Sequence, residues 1–197
     1  MAVKVTILLM SDSTSTQKTS KPRTRAIIEW VIIVIVALLV SIIIRTYVFE
    51  TYFVPSGSMI PTLQIGDRII VDKLSVDFGT IHTGDIVVFK APADVAADCG
   101  DNVADLVKRV IGLPGETLTS KGNTIYINGK ALKENWPHTE PFGTAIKPIT
   151  LKKNQYFMIG DNHLPSCDSR VWGTVPRSSI IGKVFLRVWP VSSFHWF

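Results

Sequence analysis

Val54-Pro55-Ser56-Gly57-Ser58-Met59-Ile60-Pro61-Thr62 holds two serines with a glycine between them and a proline toward each end. The chain changes character around it. Before it, residues 26–44 are an almost wholly apolar run in which only Glu29 is charged. At about 1.5 Å per residue, that run comes close to spanning the roughly 30 Å hydrocarbon core of a bilayer. Ile and Val fall on every face, with no amphipathic period, so a buried core helix is the weaker description. After it, short β-type runs broken by turns continue to the end. Candidate strands are 52–54, 68–72, 86–89, 107–111, 117–118, 124–127, 130–132, 156–159 and 183–188. Asn128-Gly129, between Ile125-Tyr126-Ile127 and Lys130-Ala131-Leu132, predicts a type I′ hairpin, because both residues tolerate positive φ. Residues 121–123 form a second turn. Residues 133–153 carry Pro137, Pro141, Gly143 and Pro148 and read as a surface excursion.

The reading is therefore mostly β. Residues 1–25 form a disordered cytoplasmic tail, 26–45 a single membrane-spanning helix, and 46–197 one extracytoplasmic β domain. Ser11 to Ser20 is a Ser/Thr-rich, low-complexity stretch. Its S-x-x-K match at Ser15–Lys18 lies outside any folded context and is read as coincidence. Lys4, Lys18, Lys21, Arg23 and Arg25 precede the apolar run against Asp12 alone, and only Arg45 follows closely. That bias keeps the N-terminus in the cytoplasm. A cleavable signal peptide is disfavoured by the long tail and the lack of a small-residue cleavage pattern.

The net charge is +5. From Thr46 onward, however, 15 Lys and Arg face 14 Asp and Glu. The basicity belongs to the tail, so no nucleic-acid surface is expected. His82, His138, His163 and His195 are scattered, and Cys99 and Cys167 stand at no metal or redox spacing. No metal or organic cofactor is implied. The two cysteines fall in the extracytoplasmic part, where a disulfide can persist. Two unpaired thiols are the other reading.

A serine hydroxyl needs a base to take its proton and donors for the oxyanion that follows. Ser58 is the candidate nucleophile, although an ordinary Pro/Ser/Gly loop fits the composition equally well. The candidate base lies in Asp105-Leu106-Val107-Lys108-Arg109-Val110-Ile111-Gly112-Leu113-Pro114-Gly115. Lys108 stands between apolar pairs, where burial would disfavour the ammonium. Strand alternation sends Lys108 and Arg109 to opposite faces, so one of them should point inward. A third stretch, Gly160-Asp161-Asn162-His163-Leu164-Pro165-Ser166-Cys167-Asp168-Ser169-Arg170, offers carboxylates for ion pairs. Asp168 and Arg170, two apart, can pair with each other, and Asp161 with Arg109.

These three stretches, with Gly84-Asp85-Ile86-Val87-Val88-Phe89, resemble the type I signal peptidases, the membrane-anchored Ser/Lys endopeptidases that remove signal peptides. The resemblance implies a signal-peptidase-like β domain, of the Ser/Lys protease fold shared with self-cleaving repressors. It implies Ser58 as nucleophile, Lys108 as base, and the Ser56 hydroxyl with the Ser58 N–H as oxyanion hole. Ser166 would orient the Lys108 amine, supported by Asp168, Arg170, Asp161 and Arg109. Tyr52, Val54, Met59, Leu63, Ile69, Val88 and Val107 would line pockets for small side chains at −1 and −3. The implied partners are preprotein signal peptides and the lipid bilayer of the cytoplasmic membrane. The chain departs from the family pattern at His163-Leu164-Pro165 and at Cys167. His163 is the rival base. A self-cleaving repressor-type protease and a non-catalytic peptide-binding module are the rival functions.

Overall fold

The computed structural model describes residues 23–92, 99 and 103–197, so the Ser/Thr-rich tail and its S-x-x-K match lie outside the described residues. It groups into two units, Met1–Ser41 and Ile42–Phe197. Helix α1 (Arg23–Ile43) runs through the apolar stretch and continues into a π-helical turn, Ile44–Val48. Thr24–Val48 is the one helical stretch among the described residues long and apolar enough to cross a membrane, with a mean hydropathy of 3.2.

The second unit is mostly β. Its strands are β1 (Phe49–Phe53), β2 (Arg68–Asp72), β3 (Ile86–Lys90), β4 (Asp105–Gly112), β5 (Thr117–Lys121), β6 (Thr124–Ile127), β7 (Lys130–Ala131), β8 (Ile149–Thr150), β9 (Gln155–Ile159), β10 (Val175–Pro176), β11 (Ile180–Trp189) and β12 (His195–Trp196). Two one-turn helices, α2 (Leu74–Asp77) and α3 (Ser169–Trp172), complete it. An eight-stranded sheet runs β1-β2-β11-β3-β4-β9-β10, with β12 added to β11. A four-stranded sheet runs β7-β6-β5-β8. Every pairing is antiparallel.

The inner strands β3, β4 and β9 of the large sheet are buried on both faces, which their sequences show as apolar residues at consecutive positions. Val87, Phe89, Val110 and Met158 pack into one core with Val76, Ile81 and Ile180. Ile69, Val71, Ile86, Val88 and Val184 pack into a second core with Val54, Met59 and Leu63 from the stretch after β1. The Ser58 segment is thus the lid of a core. A third core joins β5, β6 and the end of β4 to Phe142, Ile146 and Leu151.

The Asn128-Gly129 hairpin forms as expected, with φ of 50° and 78° at its two residues. The excursion differs. Phe142 and Ile146 are buried in it, and its end forms β8 against β5. It has no strand or helix period to announce this, because its apolar residues are spaced by prolines rather than by a regular element. Strands β8, β10 and β12 escaped the sequence reading for the same reason, being two residues each.

Candidate active site

The loop between β1 and β2 carries Ser58, and main-chain hydrogen bonds close it at its base. Val54 N donates to Asp67 O and Gly66 N to Val54 O, both at 2.9 Å. Arg187 Nη1 donates to Thr62 O at 3.0 Å and to Asp67 Oδ2 at 3.2 Å, pinning the far side. Inside the loop, Leu63 N donates to Met59 O at 2.9 Å. With Met59 and Leu63 fully buried beneath it, Ser58 is left half-buried on the surface. Ser56 Oγ lies 3.4 Å from Ser58 Oγ.

Lys108 is on β4, opposite Val87 on β3, and is 2% exposed. Arg109 is 6% exposed. The expectation that one of the two points inward falls short: both do, because β4 is an inner strand covered on each face. Arg109 is satisfied by Asp161, with Nε to Oδ1 at 2.8 Å and Nη2 to Oδ2 at 2.6 Å. Its Nη1 donates to Gly84 O at 2.7 Å, and its guanidinium lies 4.9 Å over the Trp136 ring. Asp161 also accepts from Thr62 Oγ1, joining this pair to the Ser58 loop.

Gly160 is where the site converges. The β4–β9 ladder ends on the pair Arg109 and Ile159, and Gly160 follows directly where β9 leaves the lysine strand. A Cβ at Gly160 would collide with the Ser58 carbonyl oxygen and with the Ser166 hydroxyl. Ser58 and Ser166 therefore close on one position where only a hydrogen fits. Asp168 Oδ2 accepts from Gly160 N at 3.1 Å, and Asp168 also caps α3. Its carboxylate takes Arg170 Nε at 2.8 Å and Nη2 at 2.7 Å. Arg170 Nη1 and Nη2 donate to the carbonyls of Phe142 and His163.

Several expectations are corrected. Ser166 is buried but its Oγ has no hydrogen-bond partner among the described residues, so the implied bond to the Lys108 amine is not formed. Its main-chain N–H is committed to Asn162 O at 3.1 Å, which turns the hydroxyl toward Gly160. Met59 and Leu63 do not line the cleft beside Ser58; they fill the core under the loop. The other five predicted pocket residues, Tyr52, Val54, Ile69, Val88 and Val107, line a cleft of about 180 Å³. Ser56, Ser58, Val103 and Asp105 also line it. Burial, followed by the carboxylates of Glu50 and Asp105, pushes the Tyr52 phenol well above its usual range. A larger cleft, about 670 Å³, lies on the other flank of the loop along Pro61, Thr62 and Trp136. Neither Ser58 nor Lys108 lines it.

His163, the rival base, is 2% exposed and enclosed by the excursion. Its ring stacks on His138 and meets the edge of Phe142, each at 5.0 Å, and its Nε2 lies 3.6 Å from Glu134 Oε2. Burial first, then the charges of His138 and Arg170, lower its pKa to about 4. Burial raises the Glu134 carboxyl. Cys99 and Cys167 form a disulfide with a Cα–Cα distance of 5.9 Å. Trp136, Thr139 and Asn162 belong to the site's framework and were missed by the sequence reading. Their only signal was proximity to a known motif or a place in a proline-rich excursion.

Residues 27–189 match the model of the family described as signal peptidase, peptidase S26. A probable signal peptidase I-2 of Synechocystis sp. is 41% identical over 158 residues, covering 80% of this chain and 71% of that protein. Signal peptidase I T of Bacillus subtilis is 36% identical over 180 residues, covering 86% of this chain and 89% of that protein. A crystal structure of a signal peptidase I from Enterococcus faecalis aligns with a TM-score of 0.41 at 30% identity, over 53% of this chain and 96% of that one. The chain belongs to the signal peptidase family, peptidase S26.

Proposed function

We propose that this chain is a membrane-anchored signal peptidase in which Ser58 is the nucleophile and Lys108 the general base. The observation that carries the reading is the closure of Ser58 and Ser166 on Gly160, the residue that follows β9 where its ladder with the lysine strand ends. The neutral Lys108 amine takes the Ser58 proton as Oγ bonds to the scissile carbonyl carbon. The resulting ammonium returns that proton to the leaving amine, and the amine then draws a proton from the water that hydrolyses the Ser58 ester. Burial of Lys108 is the setting in which a lysine gives up its charge. The Ser58 N–H and Ser56 hydroxyl meet the oxyanion.

The substrate lies as an extended strand in the 180 Å³ cleft, between residues 52–58 and 105–107. The β4–β9 ladder begins at Arg109, so Asp105–Val107 run on past it along the cleft. A cleft this small suits short side chains at −1 and −3. The helix Thr24–Val48 is the anchor, with its basic flank in the cytoplasm and the β domain outside. The Cys99–Cys167 bridge supports that side, since disulfides persist outside the reducing cytosol.

The test is preprotein cleavage by the full chain in detergent. Ser58→Ala should abolish cleavage while the protein stays folded. Lys108→Arg should be as inactive as Lys108→Ala, because a guanidinium does not deprotonate. A Lys108→Arg enzyme of near-normal rate overturns the assignment of the base.

A further inference from the structure

Asn162 is bound to the nucleophile loop twice, and neither contact serves the ion pairs around it. Its main-chain N–H donates to Ser58 O at 3.1 Å. Its side-chain Nδ2 donates to Gly57 O at 2.9 Å. On its other side, Thr139 Oγ1 donates to Asn162 Oδ1 at 3.0 Å. The Thr139 hydroxyl meanwhile accepts from His163 N at 2.9 Å, and Thr139 N donates to Asp161 O at 2.9 Å. A hydroxyl has one proton to give. With His163 N–H on its acceptor side, that proton goes to Oδ1, and the amide NH₂ is left facing Gly57 O.

Gly57 C=O and Ser58 N–H are the two ends of one peptide group. A hydrogen bond accepted at the carbonyl polarises the group and strengthens its N–H as a donor. It also fixes the plane of the peptide, and so the direction of the N–H. We propose that Asn162, oriented by Thr139, is a positioning residue for the oxyanion hole: its amide holds and polarises the Gly57–Ser58 peptide whose N–H receives the developing negative charge. This rests on the reading of Ser58 as nucleophile and oxyanion donor. Asn162 touches no reacting atom. It acts through the peptide, so its effect falls on the transition state and not on substrate binding.

Asn162→Asp tests this with almost no change of shape, since a carboxylate can accept from Thr139 but cannot donate to Gly57 O. The full chain in detergent is assayed on a preprotein. Removing an oxyanion donor outright costs about 10²–10³-fold in kcat, so loss of its support should cost about 10-fold, with KM within about twofold. Thr139→Val, which removes the hydroxyl at constant volume, should lower kcat by about threefold. Thr139→Ser should restore most of that loss. A peptide aldehyde, whose adduct with serine carries an oxyanion, should bind about 10-fold more weakly to Asn162→Asp. The cleaved signal peptide should bind unchanged. An Asn162→Asp enzyme with wild-type kcat overturns the inference, and so does one whose KM rises while kcat holds. Thr139→Val decides the matter if Asn162→Asp fails to fold: a wild-type kcat there also overturns it. The underlying reading fails separately, by an active Ser58→Ala. An inactive Ser58→Ala beside an unimpaired Asn162→Asp sinks this inference alone.

Discussion

The two loops that meet at Gly160 are held by opposite means. The nucleophile loop is closed by main-chain bonds at its base and plugged into a core by Val54, Met59 and Leu63. The support loop, residues 160–170, puts no large apolar side chain into a core. It is held by two buried ion pairs, Arg109–Asp161 and Arg170–Asp168, and by the bridge from Cys167 to Cys99. Apolar burial is tolerant of small shifts, whereas paired charges fix direction. The arrangement gives the serine a stable platform and gives its surroundings a defined orientation.

The difference predicts different failures. Asp168→Ala leaves the Arg170 guanidinium buried without its carboxylate and uncaps α3. Breaking a buried pair costs about 3–5 kcal/mol, the largest loss expected here, read as a shift in the denaturation midpoint with cleavage abolished. Leu63→Ala should cost about 3 kcal/mol by opening a cavity under the nucleophile loop. It should leave cleavage measurable below the new melting point, since the main-chain closure remains. Equal activity losses in the two variants, once both are folded, would erase the contrast between the loops. Cys99→Ser, or reductant, should lower stability by about 2 kcal/mol and act on the support loop only. Hydrogen exchange should then rise at residues 160–170 and not at 54–67, and exchange rising equally in both would contradict this.

The smallest effect at neutral pH concerns His163, whose pKa lies near 4 in the folded protein against about 6.5 in a free chain. Below pH 6.5 the unfolded chain binds a proton that the folded one refuses. Stability therefore falls as pH drops from 6.5 toward 4 and levels off below. Glu134 has the opposite sense. Its raised folded pKa adds stability below its unfolded value and loses it as pH rises through the folded one. His163→Phe, a ring suited to the stack beside Phe142, should flatten the melting temperature between pH 6.5 and 4. An unchanged slope would place the acid sensitivity elsewhere.

The hairpin at Asn128-Gly129 was legible because local chemistry decides it. The half-buried serine loop was legible as a motif, but its inward side was not. Met59 and Leu63 read as cleft lining because apolar loop residues look alike whether they face a pocket or a core. Lys108 and Arg109 could not be sorted by alternation, since that rule gives faces and not what covers them. The excursion from 133 to 153 was least legible. Trp136, Thr139 and Phe142 are placed by partners more than 20 residues away, Arg109, Asn162 and Arg170.

Gly160 also limits how this enzyme can vary. Every single-nucleotide change that alters a glycine codon introduces a Cβ or a chain stop. At position 160 that one carbon meets the Ser58 carbonyl and the Ser166 side chain together. A lineage cannot relax this residue alone and recover later. Both loops would have to retreat first, and retreat takes the serine away from the lysine strand. The position is a dead end in mutational space, created by the closeness with which the Ser58 and Ser166 loops pack on it.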